Sequence, residues 1–374
     1  MVRKPNGQLP TDHKQRGMSR VDILMQQAVT DRVFPGAVLL VSKEGSVVLH
    51  KAYGVADRTT LRAVTRQTVF DLASLTKPLA TTLALMILVQ QNRLGLEQHL
   101  GEVLPAFGAV EKSLIKINQL LYHNSGLPDY RPYYKELERL PFGQRKAALH
   151  DLLVKEPLLH PIGDRVLYSD IGFMILAWLI EDICSDRLDR IVSEVVYEPL
   201  GLEDLFFAGL NGTLPPELFA ATEYCPWRQR LLVGQVHDEN AYVVGGVQGH
   251  AGLFGTAAAV QILLSELLSV YHGDPSRKLF QSDLVRLFFK RLTDTDRALG
   301  FDMPAAKHSS SGSFFSENTV GHLGYTGTSF WMDLNRSIIV ILLTNRIHPS
   351  RANEAIKVFR PILHDEVMNC LLNL

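Results

Sequence analysis

The sequence predicts an α+β protein in which one antiparallel sheet is assembled from both chain ends and an all-helical lobe is inserted between them. Two observations carry this expectation. β-rich runs occur as hairpin pairs near each terminus, and the residues between them follow a mainly helical period. A chain of 374 residues, 46% hydrophobic and 21% charged, has the apolar content for a large core and for two lobes.

In chain order, residues 1–17 are polar, hold two prolines and are expected to be a disordered tail. An amphipathic helix follows over residues 20–32, with Val21, Leu24, Met25 and Ala28 on one face. The runs GAVLLVSK and SVVLHKAYGV then read as strands joined by Glu44-Gly45, a tight-turn signal. Helices are expected over residues 78–92, 117–123, 171–185, 189–197, 258–271 and 282–291. Two more strands, residues 329–334 and 337–345, flank Asn335-Arg336, and a last helix is expected over 351–372. The resulting division is a discontinuous α/β lobe (18–73 with 293–374) and a mainly helical lobe (74–292), with an active site in the groove between them.

The net charge is -1, so no basic field favours nucleic acid or an anionic membrane, and a small-molecule substrate is expected. Cys184, Cys225 and Cys370 are widely spaced and read as incidental thiols. The polar N-terminal residues contain no apolar leader, which gives the expectation of a cytoplasmic location, or a periplasmic one if a leader precedes them. No oligomeric state is legible. Neither G-x-S-x-G, nor a Walker A loop, nor a dinucleotide glycine fingerprint, nor H-E-x-x-H occurs, so no cofactor is expected. His237-Asp238-Glu239 could bind a metal in principle, but adjacent residues share no helix or strand face, and no metal is expected.

Three short segments carry chemistry. Ser74-Leu75-Thr76-Lys77 opens a long apolar helix, where free N–H groups point and three residues' spacing brings serine and lysine to one face. A desolvated ammonium beside a hydroxyl eases formation of an alkoxide. The competing reading is a helix-capping serine with a solvated lysine. Ser113-Leu114-Ile115-Lys116 has the same pattern and reads as a loop and helix start. Tyr168-Ser169-Asp170 precedes another apolar helix. Tyr168 is a candidate base or relay, Ser169 or Asp170 a simple cap, and Tyr122 the competing tyrosine. Gly321-His322-Leu323-Gly324-Tyr325-Thr326-Gly327-Thr328 precedes a strand, and its glycines permit close approach of a ligand to the backbone. His250 lies in a similar glycine-rich stretch.

In this order the three segments resemble the S-x-x-K, Y-x-[NS] and [KH]-x-G motifs of the serine β-lactamase/penicillin-binding-protein superfamily, on the class C side. Relatives there include family VIII carboxylesterases and D-aminopeptidases. Tyr122-His123-Asn124-Ser125-Gly126-Leu127-Pro128 is similar to that family's H-x-S-G-L-P turn, and Gly252-Leu253-Phe254-Gly255-Thr256 to its G-G-L-x-S-T segment. These matches set Tyr122 and His250 aside. The resemblance implies a β-lactamase/transpeptidase-like fold and a serine hydrolase acting through an acyl-enzyme on Ser74. Lys77 and Tyr168 would share the general-base work, His322 would stand for the third-motif lysine, and the backbone N–H groups of Ser74 and Tyr325 would form the oxyanion hole. Asp170, Gly324 and Thr326 would line the substrate, which is expected to be an ester, amide or β-lactam.

Two departures stand out: Asp170 replaces the usual Asn or Ser and could pair with Lys77, and His322 replaces lysine, removing a fixed positive charge. Both weaken the case for an efficient β-lactamase and are compatible with ester or small amide hydrolysis; a carboxylesterase on short-chain esters is the expected activity. A peptidoglycan-related amidase or D-amino-acid peptidase, a weak β-lactamase and a non-catalytic binding relative are the alternatives. The loops 129–140 and 207–230 are expected to set the size of the acyl pocket.

Overall fold

The computed structural model describes residues 11–209 and 214–372, with side chains described from Ser19 onward. Its central sheet has eight strands among the described residues: β1 (Gly36–Lys43), β2 (Ser46–Asp57), β3 (Arg62–Ala63), β4 (Arg297–Ala298), β5 (Phe301–Asp302), β6 (Thr319–Leu323), β7 (Ser329–Asp333) and β8 (Ile338–Thr344). Their spatial order is β3-β2-β1-β8-β7-β6-β5-β4, so strands from the two chain ends meet where β1 pairs with β8, and every pairing is antiparallel.

Both faces of the sheet are covered, which is why β1 and β8 read as near-continuous apolar runs instead of alternating. Ala37, Leu39 and Val41 pack with Val21, Met25, Leu363 and Val367 under the terminal helices Thr11–Thr30 and Ile356–Leu372. Val38 and Leu40 face the larger core, which continues into the helices Ala257–Tyr271, Thr82–Gln90 and Asp170–Cys184. The helical run Ala73–Gln90 is long and apolar enough to cross a membrane by length and composition, but 83% of it is buried inside the protein. Its apolarity is that of a core helix.

Several boundaries differ from expectation. The first helix begins at Thr11, since Lys14, Gln15 and Arg16 extend it toward the N-terminus; of the expected tail, residues 1–10 lie outside the described residues. The last helix begins only at Ile356, after Asn353 Oδ1 accepts the Ala355 N–H and Arg351 is drawn to buried carboxylates. The turn at Glu44-Gly45 has φ of 52° and 78°, as a tight hairpin turn requires. The hairpin at Asn335-Arg336 is wider, because Asp333 Oδ1 accepts the N–H groups of both residues. A helix over Phe142–Lys155 was not anticipated, and neither was a small sheet in which Leu253–Gly255 pairs with Phe70–Asp71 and Leu205–Phe207. Two-residue strands leave no periodic trace in a sequence. That small sheet positions the site.

Candidate active site

Strand Phe70–Asp71 delivers the chain to Ser74. Asp71, buried, gathers three segments: its Oδ1 accepts the Ala73 N–H at 2.8 Å, its Oδ2 accepts the His237 N–H at 2.7 Å, and its carbonyl accepts the Thr326 hydroxyl at 2.7 Å. Ala73 is held at φ 48°, a left-handed conformation costly for alanine and maintained by these surroundings. Ser74 follows in a 3-10 turn (Ala73–Leu75) that the wide turn Lys77–Thr81 and helix Thr82–Gln90 continue. Pro78, without an N–H, is tolerated at that start. No side chain caps the turn, so the capping role does not describe Ser74.

Nor is Lys77 solvated; it is fully buried. Its Nζ donates to Asp170 Oδ1 at 2.6 Å, Ser74 Oγ at 3.2 Å and the His250 carbonyl at 3.4 Å. Burial alone would lower the lysine pKa. The Asp170 carboxylate and, after it, Tyr168 together outweigh burial and hold the group above the usual lysine range. The other S-x-x-K pattern does not assemble: Lys116 turns to Glu97 on the surface, and Ser113 lies in the short turn Glu111–Leu114.

The Tyr168 ring lies 4.7 Å from Lys77 Nζ, and its hydroxyl bonds with both Ser74 and Lys77. Burial pushes this phenol above its usual range, against the pull of the ammonium. Ser169 is the true cap of helix Asp170–Cys184, accepting the Gly172 N–H and freeing Asp170 for Lys77. His123, buried beneath Tyr168 with ring centroids 4.6 Å apart, accepts the Ser169 N–H on Nδ1 and fixes the segment. Burial, with Arg297 and Lys77 adding to it, keeps His123 neutral. Tyr122 lies outside the cavity.

His322 stands behind Tyr168, ring centroids 5.9 Å apart, buried and outside the cavity lining. Its Nδ1–H donates to the Leu323 carbonyl at 2.8 Å, which leaves Nε2 a lone pair. Burial drives its pKa down to about 4, with Lys77 and Arg297 adding to the effect and Asp302 opposing it. It therefore carries no charge at neutral pH.

Gly324 and Thr326 were expected to line the substrate. Neither lines the cavity, and Thr326 is buried with its hydroxyl on Asp71. A Cβ at Gly324 would lie 1.9 Å from Thr328 Oγ1 and 2.7 Å from the Leu72 carbonyl, so glycine is required for this loop to dock on the Ser74 segment. Both residues position Tyr325, which is half exposed on the cavity wall.

The cavity measures about 410 Å³ and is bounded by Ser74, Tyr168 and Asp170 on one side. Its other wall was mostly missed from sequence. Tyr130 comes from the loop expected to shape the pocket, but His237, Asp238, Glu239 and Arg351 had been given no part in it. His250, set aside as a decoy of the third motif, also belongs here, through its carbonyl on Lys77 and a 2.9 Å contact between its Nε2 and Asp238 Oδ1. Among the described residues no group of three or more His, Cys, Asp or Glu is arranged to hold a metal ion.

Fold and site together define a class: a sheet built from both chain ends, with a serine and a buried lysine at the mouth of the main core helix. Residues 21–360 match the family model described as Beta-lactamase, and the chain belongs to that family. A Salmonella typhi protein named "Putative D-alanyl-D-alanine carboxypeptidase" is 34% identical over 366 residues, covering 90% of this chain and 84% of that one. Among solved structures, EstCE1, titled a hydrolase with promiscuous acyltransferase activity, superposes with a TM-score of 0.75 at 23% identity, covering 96% of this chain and 100% of its own. A class C β-lactamase superposes at 0.73 with 15% identity, covering 98% and 100%. The chain is thus a member of the serine β-lactamase/penicillin-binding-protein superfamily, whose members hydrolyse small esters, amides or β-lactams.

Proposed function

We propose that Ser74 is the nucleophile of an acyl-transfer reaction and that the preferred substrates are short-chain carboxylic esters. The observation that carries this reading is Lys77, fully buried and shared between Ser74 Oγ and Asp170. As Ser74 Oγ attacks the substrate carbonyl, its proton passes to Lys77 while Lys77 yields one to Asp170, so Asp170 becomes neutral, Lys77 remains an ammonium, and its charge is balanced by the new oxyanion. Tyr168, bonded to both Ser74 and Lys77, gives its proton to the departing alcohol oxygen and is reprotonated by the Lys77–Asp170 pair. The carbonyl–oxygen bond to the alcohol breaks, the acyl group stays on Ser74, and water releases it as the acid by the reverse proton path. The N–H groups of Ser74 and Tyr325 would hold the oxyanion.

A second reading, cleavage of D-alanyl peptides, is favoured by the name of the Salmonella relative. It requires a cation for the terminal carboxylate. Around the cavity Lys77 is committed to Asp170 and Arg351 to Glu223 and Glu239, while His322, behind Tyr168, is neutral. The ester reading is therefore preferred. Treatment with a fluorophosphonate probe, followed by intact mass, is expected to add one adduct to the wild type and to Ser113→Ala but none to Ser74→Ala. An unlabelled wild type, or a labelled Ser74→Ala, refutes the proposal.

A further inference from the structure

The lining of the cavity beside Ser74 has a charge pattern that bears on the substrate. Asp170, Asp238 and Glu239 line the cavity, with Glu223 directly behind it; the cations are Lys77, Arg351 and Arg228, the last donating to the His237 and Asp238 carbonyls. Four carboxylates against three cations leave a surplus of one negative charge. Asp238 holds its charge firmly. Burial opposes ionisation, but contact with His250 and the Ala241 N–H keeps the carboxyl well below its usual range.

An independent feature shares the wall. The ring of Tyr130 lines the same cavity and is exposed, offering a π face beside the carboxylates, whereas the Tyr325 ring is already stacked on His237 and faced by the Arg346 guanidinium. Aromatic faces combined with a surplus of carboxylate are the composition that holds ammonium groups. The Tyr130 phenol feels this field: after burial, Asp238 and Glu239 are the groups that push its pKa up.

We infer that the substrate carries a protonated amine, received between Asp238 and the Tyr130 ring while its carbonyl lies against Ser74. The chemical class is an ester or small amide of an amino acid with a free amino group. A peptide presenting a free carboxylate is disfavoured, because the cavity offers it like charges and no uncommitted cation. This inference rests on the reading of Ser74 as a hydrolytic nucleophile.

The test uses the whole protein and three substrates, each in both enantiomers: alanine methyl ester, N-acetylalanine methyl ester and N-acetyl-alanyl-alanine. Acid release is followed at about pH 6.5, where an α-amino group is protonated. The free-amine ester is expected to exceed its acetylated form at least about tenfold in kcat/KM, a modest return for one ion pair. The dipeptide should be the poorest. In Asp238→Asn the amine-to-acetyl ratio should fall toward one. Asp238 also caps a short helix, so Tyr130→Leu serves as a second variant, with a smaller fall in the same ratio. Turnover with the acetylated ester or the dipeptide preferred, or a ratio unmoved in both variants, overturns the inference and leaves the Ser74 reading standing. No turnover together with an unlabelled Ser74 overturns both.

Discussion

Asp170→Asn isolates the contact on which the proposed chemistry depends. The substitution keeps the side chain's shape and removes the charge lying 2.6 Å from Lys77 Nζ, leaving an ammonium with no exposed surface and no counter-charge. At an effective dielectric near 20, that separation corresponds to about 6 kcal/mol of raw attraction. Lys77 has an escape, however, in losing its proton. Neutralising at pH 7 a group whose unfolded pKa is about 10.4 costs at most about 4.6 kcal/mol, so the destabilisation is bounded at roughly 3 to 4.6 kcal/mol. The sign of the pH dependence follows. In the wild type the lysine pKa is raised, so its contribution is fully present below the unfolded pKa and is lost only as pH rises through the still higher folded value. Between pH 7 and 9 that contribution is flat. In the variant the folded pKa is depressed, the unfolded chain binds the extra proton, and stability rises by about 1.36 kcal/mol per pH unit until it approaches the unfolded pKa. Urea unfolding at both pH values should therefore show the deficit shrinking by about 2.7 kcal/mol. Ester hydrolysis by the variant should climb with pH over the same window, since asparagine cannot take the proton and Lys77 must lose it to solvent. Equal stabilities, or a deficit that does not change with pH, would refute the claim that Asp170 maintains Lys77 as a buried ammonium.

Two further perturbations test other parts of the site. Tyr168→Phe should lower kcat about a hundredfold or more, the usual yield of a positioned proton donor, while Tyr122→Phe should keep most activity because that ring lies outside the cavity; the reverse ranking would reject the assignment. Glu223→Gln tests the support behind the cavity. Burial opposes ionisation of Glu223, but contacts with His237 and Arg351 bring its pKa down to about 2. A depressed carboxylate pKa gives stability that is present above the unfolded value and lost as pH falls through the folded one, so the wild type should lose roughly 2 to 3 kcal/mol between about pH 5 and pH 2. The variant should lack that part of its acid dependence when unfolding is followed by circular dichroism.

What the sequence made legible were features carried by neighbours along the chain. Ser74 and Lys77 lie one helical turn apart. The hairpins at both ends were visible because β1 and β8, with both faces buried, are apolar throughout. The far wall of the cavity has no such local signature. Glu223 meets Arg351 across 128 positions, and Asp71 meets the His237 N–H across 166. No spacing rule links residues so far apart. His237-Asp238-Glu239 was judged by whether its members share a face of a regular element, and that test fails for a segment at the start of a short helix, where backbone turns aim adjacent side chains at one space. A signal was nevertheless present: three consecutive ionisable groups beside the glycine-rich stretch holding His250. Gly324 was misread for a related reason. A glycine beside a strand signals close approach of some backbone, and here the approaching backbone is Leu72 of the chain itself. The same reasoning separates the two S-x-x-K patterns. Ser74 is fixed by the buried Asp71 and a strained Ala73, whereas Lys116, in the second pattern, is free to pair with Glu97 at the surface. The pattern supplies the chemical groups, and the tertiary contacts around Asp71 decide which copy of it can be reactive.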